Sequence, residues 1–330
     1  MKTYSRFEAK DYAKEHLNGV WGAATCPFFP DGTLDEAGFR ANLRHWIDVL
    51  HIDGMFVGGL MNEFWSLTMK DRKRLFEITV EECKDDMQTL LAVCDYNIYD
   101  ALELTEYAEE LGGHFAIIMN PRFYGPQRPS DDKIFEYYNY IAERVDIPIC
   151  VFNQAMMVGY AMSPEVVARL AEIPNVVGIK NAVSDPVHTL EVRRLCGDKI
   201  MVSDPDETNW LHNHTVHKQR ALMSCPQVFL LQSREWQPIR DYTMLADHGD
   251  THKATEVAAS LEPARRALKA AFESVSPDKD RTVMKYWQEL LGQVGGCIRP
   301  PLSELSPQEK DVIRQHFEAS GLLKKAKATA

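Results

Sequence analysis

A single lysine closes an otherwise apolar run, Asn175-Val176-Val177-Gly178-Ile179-Lys180. Val176, Val177 and Ile179 read as a short buried strand, too brief and too rich in β-branched residues for a helix. Burial penalises the ammonium form of a lysine and lowers its pKa. A lysine so placed is partly a free amine, the species that attacks a ketone to give a Schiff base. The same run also suits a strand-end lysine whose stem snorkels along apolar surface to water. The elements around it have to separate the two.

Short apolar runs alternate with amphipathic stretches along the chain. Strands are expected at 20–25, 54–58, 89–94, 115–119, 147–153, 176–180, 200–203 and 221–225. Helices are expected near 35–50, 69–83, 100–111, 131–144, 163–171, 186–195, 207–217 and 234–246. Ser163-Pro164-Glu165 places a capping hydroxyl ahead of a first-turn proline, and Thr68 precedes Met69-Lys70-Asp71 in the same way. Eight strands, each followed by a helix without a long linker, predict an α/β fold, a (β/α)8 TIM barrel over residues 1–250. Beyond Thr251 the pattern is helical at 255–274, 280–291 and 307–320, with Gly295-Gly296 and Pro300-Pro301 as punctuation. This predicts a C-terminal helical extension, 251–330, packed on the barrel. No Gly-rich phosphate fingerprint follows the first strand, which argues against a dinucleotide-binding sheet.

In such a barrel, chemistry sits at the carboxyl ends of the strands. Lys180 falls there after the sixth strand. Phe152-Asn153 close the fifth, Asn120-Pro121 follow the fourth, and Gly58-Gly59-Leu60-Met61-Asn62-Glu63 follow the second. Ser203-Asp204 end the seventh, Asp206 and Glu207 open the next helix, and Ser224 lies at the end of the eighth. Trp210 with His212, His214 and His217 has the composition of a metal cluster. On a helix, however, His214 and His217 share a face and His212 does not. With no carboxylate or cysteine at a ligating offset, no metal is expected.

Bulk properties narrow the partners. The chain has 330 residues, with 37 Lys and Arg against 48 Asp and Glu, for a formal charge of −11. That balance argues against nucleic acid, and the basic cluster Lys324-Lys325 with Lys327 reads as a frayed terminus. No apolar run reaches membrane-span length and the first residues lack a signal-peptide core, so no membrane partner and a cytoplasmic location are expected. Seven cysteines lie scattered with no CxxC pair, as in a chain of reduced thiols without zinc.

Taken in order, several segments resemble the dihydrodipicolinate synthase/N-acetylneuraminate lyase family of class I aldolases, over roughly residues 19–323. Cys26-Pro27-Phe28 with Asp31-Gly32 is similar to the family's opening TPF…DG. Gly59-Leu60-Met61-Asn62-Glu63-Phe64-Trp65-Ser66-Leu67-Thr68 resembles its G-[TS]-T-G-E…LT loop. Ile147-Pro148-Ile149-Cys150-Val151-Phe152-Asn153 is similar to its DLP…YN strand, and Val177-Gly178-Ile179-Lys180 to its GIK strand, which carries the Schiff-base lysine. Arg299-Pro300-Pro301-Leu302 resembles its R-x-P-L segment. Each motif alone is weak; their order and spacing together are specific.

The departures from that pattern carry as much information. The family's strand-five tyrosine, a proton relay, is Phe152, which has no hydroxyl. The paired hydroxyl residues that bind a substrate carboxylate fall on Leu60 and Met61, leaving only backbone N–H groups for that task. The synthase-branch arginine falls on Met157. A second relay tyrosine falls beside Tyr124, while an ungapped alignment places Phe123 there. Glu63 matches the loop glutamate, either as a base or as a brace for its own loop. Asn62 replaces a glycine and could orient a carbonyl. Arg122 is either a carboxylate binder or a surface partner of Asp131 or Asp132. Asp206 and Glu207 align with hydroxyl-binding residues of the sialic-acid branch, and acidic residues in a first helical turn are also ordinary dipole partners. Asn120 and Ser224 complete the substrate-contact candidates.

The resemblance therefore implies a Schiff-base lyase of aldolase or hydratase–aldolase type. Lys180 would be the nucleophile, Tyr124 or Glu63 would move protons, and no cofactor would be needed beyond the covalent adduct. The substrate would be a small carbonyl compound, by default pyruvate or another 2-oxo acid, in a pocket turned apolar. The assembly it implies is a homotetramer built as a dimer of dimers. Two rivals stand beside it: a catalytically silent homologue binding a small metabolite or partner protein, and an enzyme using Lys180 as a general base without an adduct.

Overall fold

A computed structural model describes residues 4–123 and 128–323 of the chain. Eight strands form one parallel sheet: β1 (Gly19–Ala23), β2 (Gly54–Val57), β3 (Gln88–Val93), β4 (Phe115–Met119), β5 (Ile149–Gln154), β6 (Val176–Ala182), β7 (Met201–Ser203) and β8 (Ala221–Met223). Neighbours in sequence are neighbours in the sheet, and β8 returns to pair with β1. Side chains close the remaining seam. The Ser203 hydroxyl oxygen accepts from the Met223 N–H at 2.9 Å, and Gln219 Nε2 donates to both Ser203 Oγ and the Ala221 carbonyl. The result is the expected (β/α)8 barrel with a C-terminal helical extension.

Two apolar layers hold it. Residues of one strand parity, with Phe56, Leu90, Phe115, Ile117, Cys150 and Phe152 among them, fill the barrel interior. The opposite parity packs outward against the surrounding helices, the alternation a pleated strand imposes. A helix before β1, Ala9–His16, covers the amino end of the barrel. Its Ala9 and Ala13, with the following Leu17, join the interior cluster. The lead-in to β1 thus carries a helix that its polar composition did not announce.

Other departures from expectation have local causes. The stretch 255–274 is two helices, Thr251–Ser260 and Glu262–Glu273. Pro263 lacks an N–H and its ring excludes the carbonyl four residues back, so a helix starts at its side but cannot run through it. Strand β6 continues past Lys180, because Asn181 and Ala182 pair with Asn153 and Gln154 of β5. The extension packs through the helices Asp280–Leu290 and Pro307–Ser320. Trp287 is fully buried and donates its indole N–H to the Leu230 carbonyl at 2.9 Å.

Candidate active site

Strand β6 delivers Lys180 into the carboxyl end of the barrel, in register with Phe152 of β5 and Ser203 of β7. The side chain is 2% exposed. Its Nζ donates to the Ser224 carbonyl at 2.7 Å. The ring centroids of Phe56 and Phe152 lie 5.0 and 5.3 Å away, and those rings meet edge to face at 5.6 Å. No carboxylate lies within ion-pair distance of it among the described residues. Burial therefore pulls the amine below its ordinary value of 10.5, opposed only by the Cys225 and Cys94 thiols when ionised. Such an amine keeps a lone pair at lower pH than a surface lysine does.

Lys180 opens onto a cavity of about 30 Å³, room for one or two waters or a small functional group. Ala23, Phe56, Leu60, Met61, Phe152 and Ala182 make it apolar, and Asn62, Gln154 and Cys225 are its polar walls beside Lys180. The β2 loop approaches closely because Gly59 has no side chain: a Cβ there would sit 2.5 Å from the Phe56 ring. Asn62 is fully buried, and its Oδ1 accepts from the Gly58 N–H at 2.7 Å. Its Nδ2 has no partner among the described residues, leaving a donor at the cavity wall.

The other candidates are placed as follows. Leu60 and Met61 line the cavity. Glu63 is fully buried in a left-handed conformation, φ 59°, and lies 2.6 Å from Lys285 Nζ of the extension. Burial raises its pKa while Lys285 opposes that rise. Asn120 is buried and ties strand ends together, accepting from Gln154 N–H at 2.9 Å and donating to the Tyr160 carbonyl at 3.3 Å. Met157, half-buried in the short helix Ala155–Val158, packs against the interior cluster. Arg122 is exposed, while Asp131 and Asp132 pair with Arg128 and Arg169. Asp206 is exposed and caps its own turn by accepting from the Thr208 N–H at 3.0 Å. Glu207 is buried and takes two bonds from Arg265, at 2.9 and 2.7 Å, and one from the Tyr242 hydroxyl at 2.8 Å. Ser224 presents its carbonyl to Lys180, and its buried hydroxyl has no partner among the described residues.

Tyr124 lies outside the described residues. Phe123, its neighbour, is exposed with its ring 6.1 Å from that of Tyr137. Tyr137, Tyr138 and Tyr160, around the β4 and β5 ends, donate their hydroxyls to the backbone carbonyls of Asp95, Ile118 and Pro121. Sequence reasoning did not include Phe56, Gln154 or Cys225. Phe56 and Cys225 were within reach, since each lies at a strand's carboxyl end. Gln154 lies one residue past the expected end of its strand. Among the described residues no group of three or more His, Cys, Asp or Glu could hold a metal ion, and no helix is long and apolar enough to cross a membrane.

Comparison with known proteins places this geometry in context. The model of the dihydrodipicolinate synthetase family matches residues 16–320. A 4-hydroxy-tetrahydrodipicolinate synthase from Methanothrix thermoacetophila is 29% identical over 301 residues, 90% of this chain and 95% of the relative. An N-acetylneuraminate lyase from Clostridium perfringens is 30% identical over 191 residues, 58% of this chain and 65% of the relative. Among solved structures, YagE from E. coli K12, a prophage protein of the dihydrodipicolinic acid synthase family in complex with pyruvate, superimposes with a TM-score of 0.81. It shares 19% identity over 93% of this chain and 99% of that one, a likeness of fold.

Proposed function

This chain belongs to the dihydrodipicolinate synthetase family, and from that premise we propose that it is a Schiff-base-forming carbon–carbon or carbon–oxygen lyase. The observation that carries the proposal is the seating of Lys180: a buried amine with no carboxylate partner among the described residues, at the head of a cavity at the carboxyl end of the barrel. The Nζ lone pair would attack the substrate's carbonyl carbon, and loss of water from the resulting carbinolamine would leave an iminium. Cleavage of the adjacent carbon–carbon bond, or loss of a β-hydroxyl as water, would pass through an enamine whose electron pair the iminium accepts. Protonation and hydrolysis would return free Lys180.

The protein's own groups support particular parts of this sequence. The Ser224 carbonyl orients the amine, and the two phenyl rings keep it desolvated. Asn62 Nδ2, which has no partner among the described residues, is positioned to donate to a substrate oxygen. Proton transfer falls to a bound water, to Tyr124 or to Glu63. The Lys285 ion pair favours the ionised, bracing form of Glu63. By analogy with the pyruvate bound to YagE, a 2-oxo acid is the first substrate to test. The apolar walls at Leu60, Met61 and Phe152 favour a hydrophobic remainder on it. The assembly proposed with this activity is a homotetramer, readable by light scattering.

The test is borohydride trapping with 2-oxo acids, ketones and aldehydes, followed by peptide mapping. A reduced adduct on Lys180 is expected. A folded protein that forms no adduct with any carbonyl overturns the lyase proposal and leaves a barrel that only binds a ligand.

A further inference from the structure

A second cavity, of about 400 Å³, lies at the opposite end of the barrel. Its floor is the amino ends of β6 and β7, reached at Val177 and Met201, together with Gln219 and Arg220 just ahead of β8. Its walls are the helix Ala9–His16 and the carboxyl end of the helix Pro186–Cys196. Lys10, Lys14, Arg193, Lys199, Lys218 and Arg220 line it, against the single carboxylate Asp198. This concentration of positive charge occurs in a chain of net charge −11.

Local partners account for only two of these cations. Lys14 pairs with Asp11 at 2.7 Å, and Lys199 pairs with Glu172. The other four have no carboxylate within ion-pair distance among the described residues. Lys10 donates to the Ala171 carbonyl at 2.5 Å, Lys218 to that of Thr215 at 2.8 Å, and Arg220 to that of Lys14 at 2.7 Å. Arg193 bonds the neutral amide oxygens of Asn213 and Gln219 at 3.0 and 2.7 Å. Burial pulls Lys10, Arg193 and Arg220 below their ordinary basicity. Their hydrogen-bond acceptors are all neutral, with Glu172 near Lys10 and Asp204 near Arg193 only beyond ion-pair distance; such a partly desolvated cation is costly, and an anion relieves that cost. Each guanidinium has five N–H donors in a planar fork suited to phosphate or carboxylate oxygens. Arg220 uses one of them and Arg193 two.

We propose that this cavity binds a compact polyanion, a metabolite bearing a phosphate or several carboxylates. The anion would bridge Lys10 of the helix Ala9–His16 to Lys218 and Arg220 beside β8, fastening that helix over the barrel's amino end. The site lies at the end of the barrel opposite Lys180 and takes no part in the chemistry there.

Calorimetric titration and thermal melting of the full chain test this, with inorganic phosphate, pyrophosphate and citrate as probes. Ionic strength is held constant because exposed charge interactions are screened by salt. One saturable site per chain is expected, with a melting temperature that rises with probe concentration. The double variant Lys10→Gln/Lys218→Gln removes side chains bonded only to backbone carbonyls, and Arg220→Gln removes the fork. Each should weaken binding at least about tenfold. Lys180→Met, at the far end, should leave it unchanged. Binding of the phosphates alone, or of citrate alone, supports the site and assigns the anion's source. Failure of all three probes to saturate by about 10 mM, or affinity that survives both sets of charge substitutions, overturns it.

Discussion

At the scale of single residues, the burial of Lys180 contributes a pH dependence. Its amine is held below 10.5 by burial, so the unfolded chain binds more protons than the folded one between the lowered value and 10.5. Stability contributed at this position therefore rises with pH through that window, and the cost of the buried charge is fully present below it. Between about pH 7 and 10 the urea midpoint of the parent should gain on that of Lys180→Met, a difference that cancels the opposite trend of the buried thiols common to both. An unchanged difference would mean that Lys180 titrates as a surface lysine. Under the proposed chemistry the same lowering would govern reactivity. Trapping of a carbonyl by borohydride should reach half its plateau rate below pH 10.5, the ordinary lysine value, because the free amine is the attacking species. A midpoint at or above that value would sink the argument.

Between elements, the β2 loop and the helix Asp280–Leu290 form one unit. Glu63 meets Lys285 at 2.6 Å with both side chains buried. Lys285 also donates to the Cys297 carbonyl at 2.7 Å, and Arg281 Nε donates to the Leu60 carbonyl at 3.3 Å. The extension thus holds the loop that forms one wall of the Lys180 cavity. Removing one member of a buried ion pair strands the other charge, whereas removing both does not. Lys285→Met is therefore expected to destabilise the chain by about 3–5 kcal/mol. Adding Glu63→Gln to it should restore more than half of that loss, as read from urea unfolding. Equal losses in the single and double variants would show that Lys285 acts through packing alone. Glu207, bonded to Arg265 and Tyr242, is a second point where the extension holds a loop at the carboxyl end.

Across the whole molecule, these contacts make the extension part of the barrel's outer layer. Leu268, Val283, Trp287, Ile313 and Phe317 are all buried in it. Burying a large apolar side chain contributes roughly 1.5–3 kcal/mol, so five of them match the entire stability of a typical domain, about 5–15 kcal/mol. A chain ending at residue 250 should consequently fail to fold cooperatively, giving a reduced circular-dichroism signal and no sharp melting transition. A truncated barrel that melts as sharply as the full chain would show that the barrel is self-sufficient.

What the sequence determined by itself was whatever depends on a few consecutive residues. β-Branched runs, capping residues and turn signals act over one strand or one helical turn, so the eight strands, their order and the helices at 69–83 and 307–320 were legible. The buried strand around Lys180 was legible too, but whether its amine is buried or reaches water was decided only by the elements around it. Tertiary structure alone decided what each strand end faces. Glu63 reads as a base or a brace in the sequence, and only barrel closure brings Lys285 against it. Phe56 and Gln154 come from β2 and β5 and Cys225 from the segment just past β8, and only the curvature of the closed sheet brings them to one cavity. The cationic cavity is likewise assembled from segments distant in the chain, each unremarkable alone. Burial and charge are properties of a three-dimensional neighbourhood, and a linear pattern records only the half of that neighbourhood that is also near in sequence.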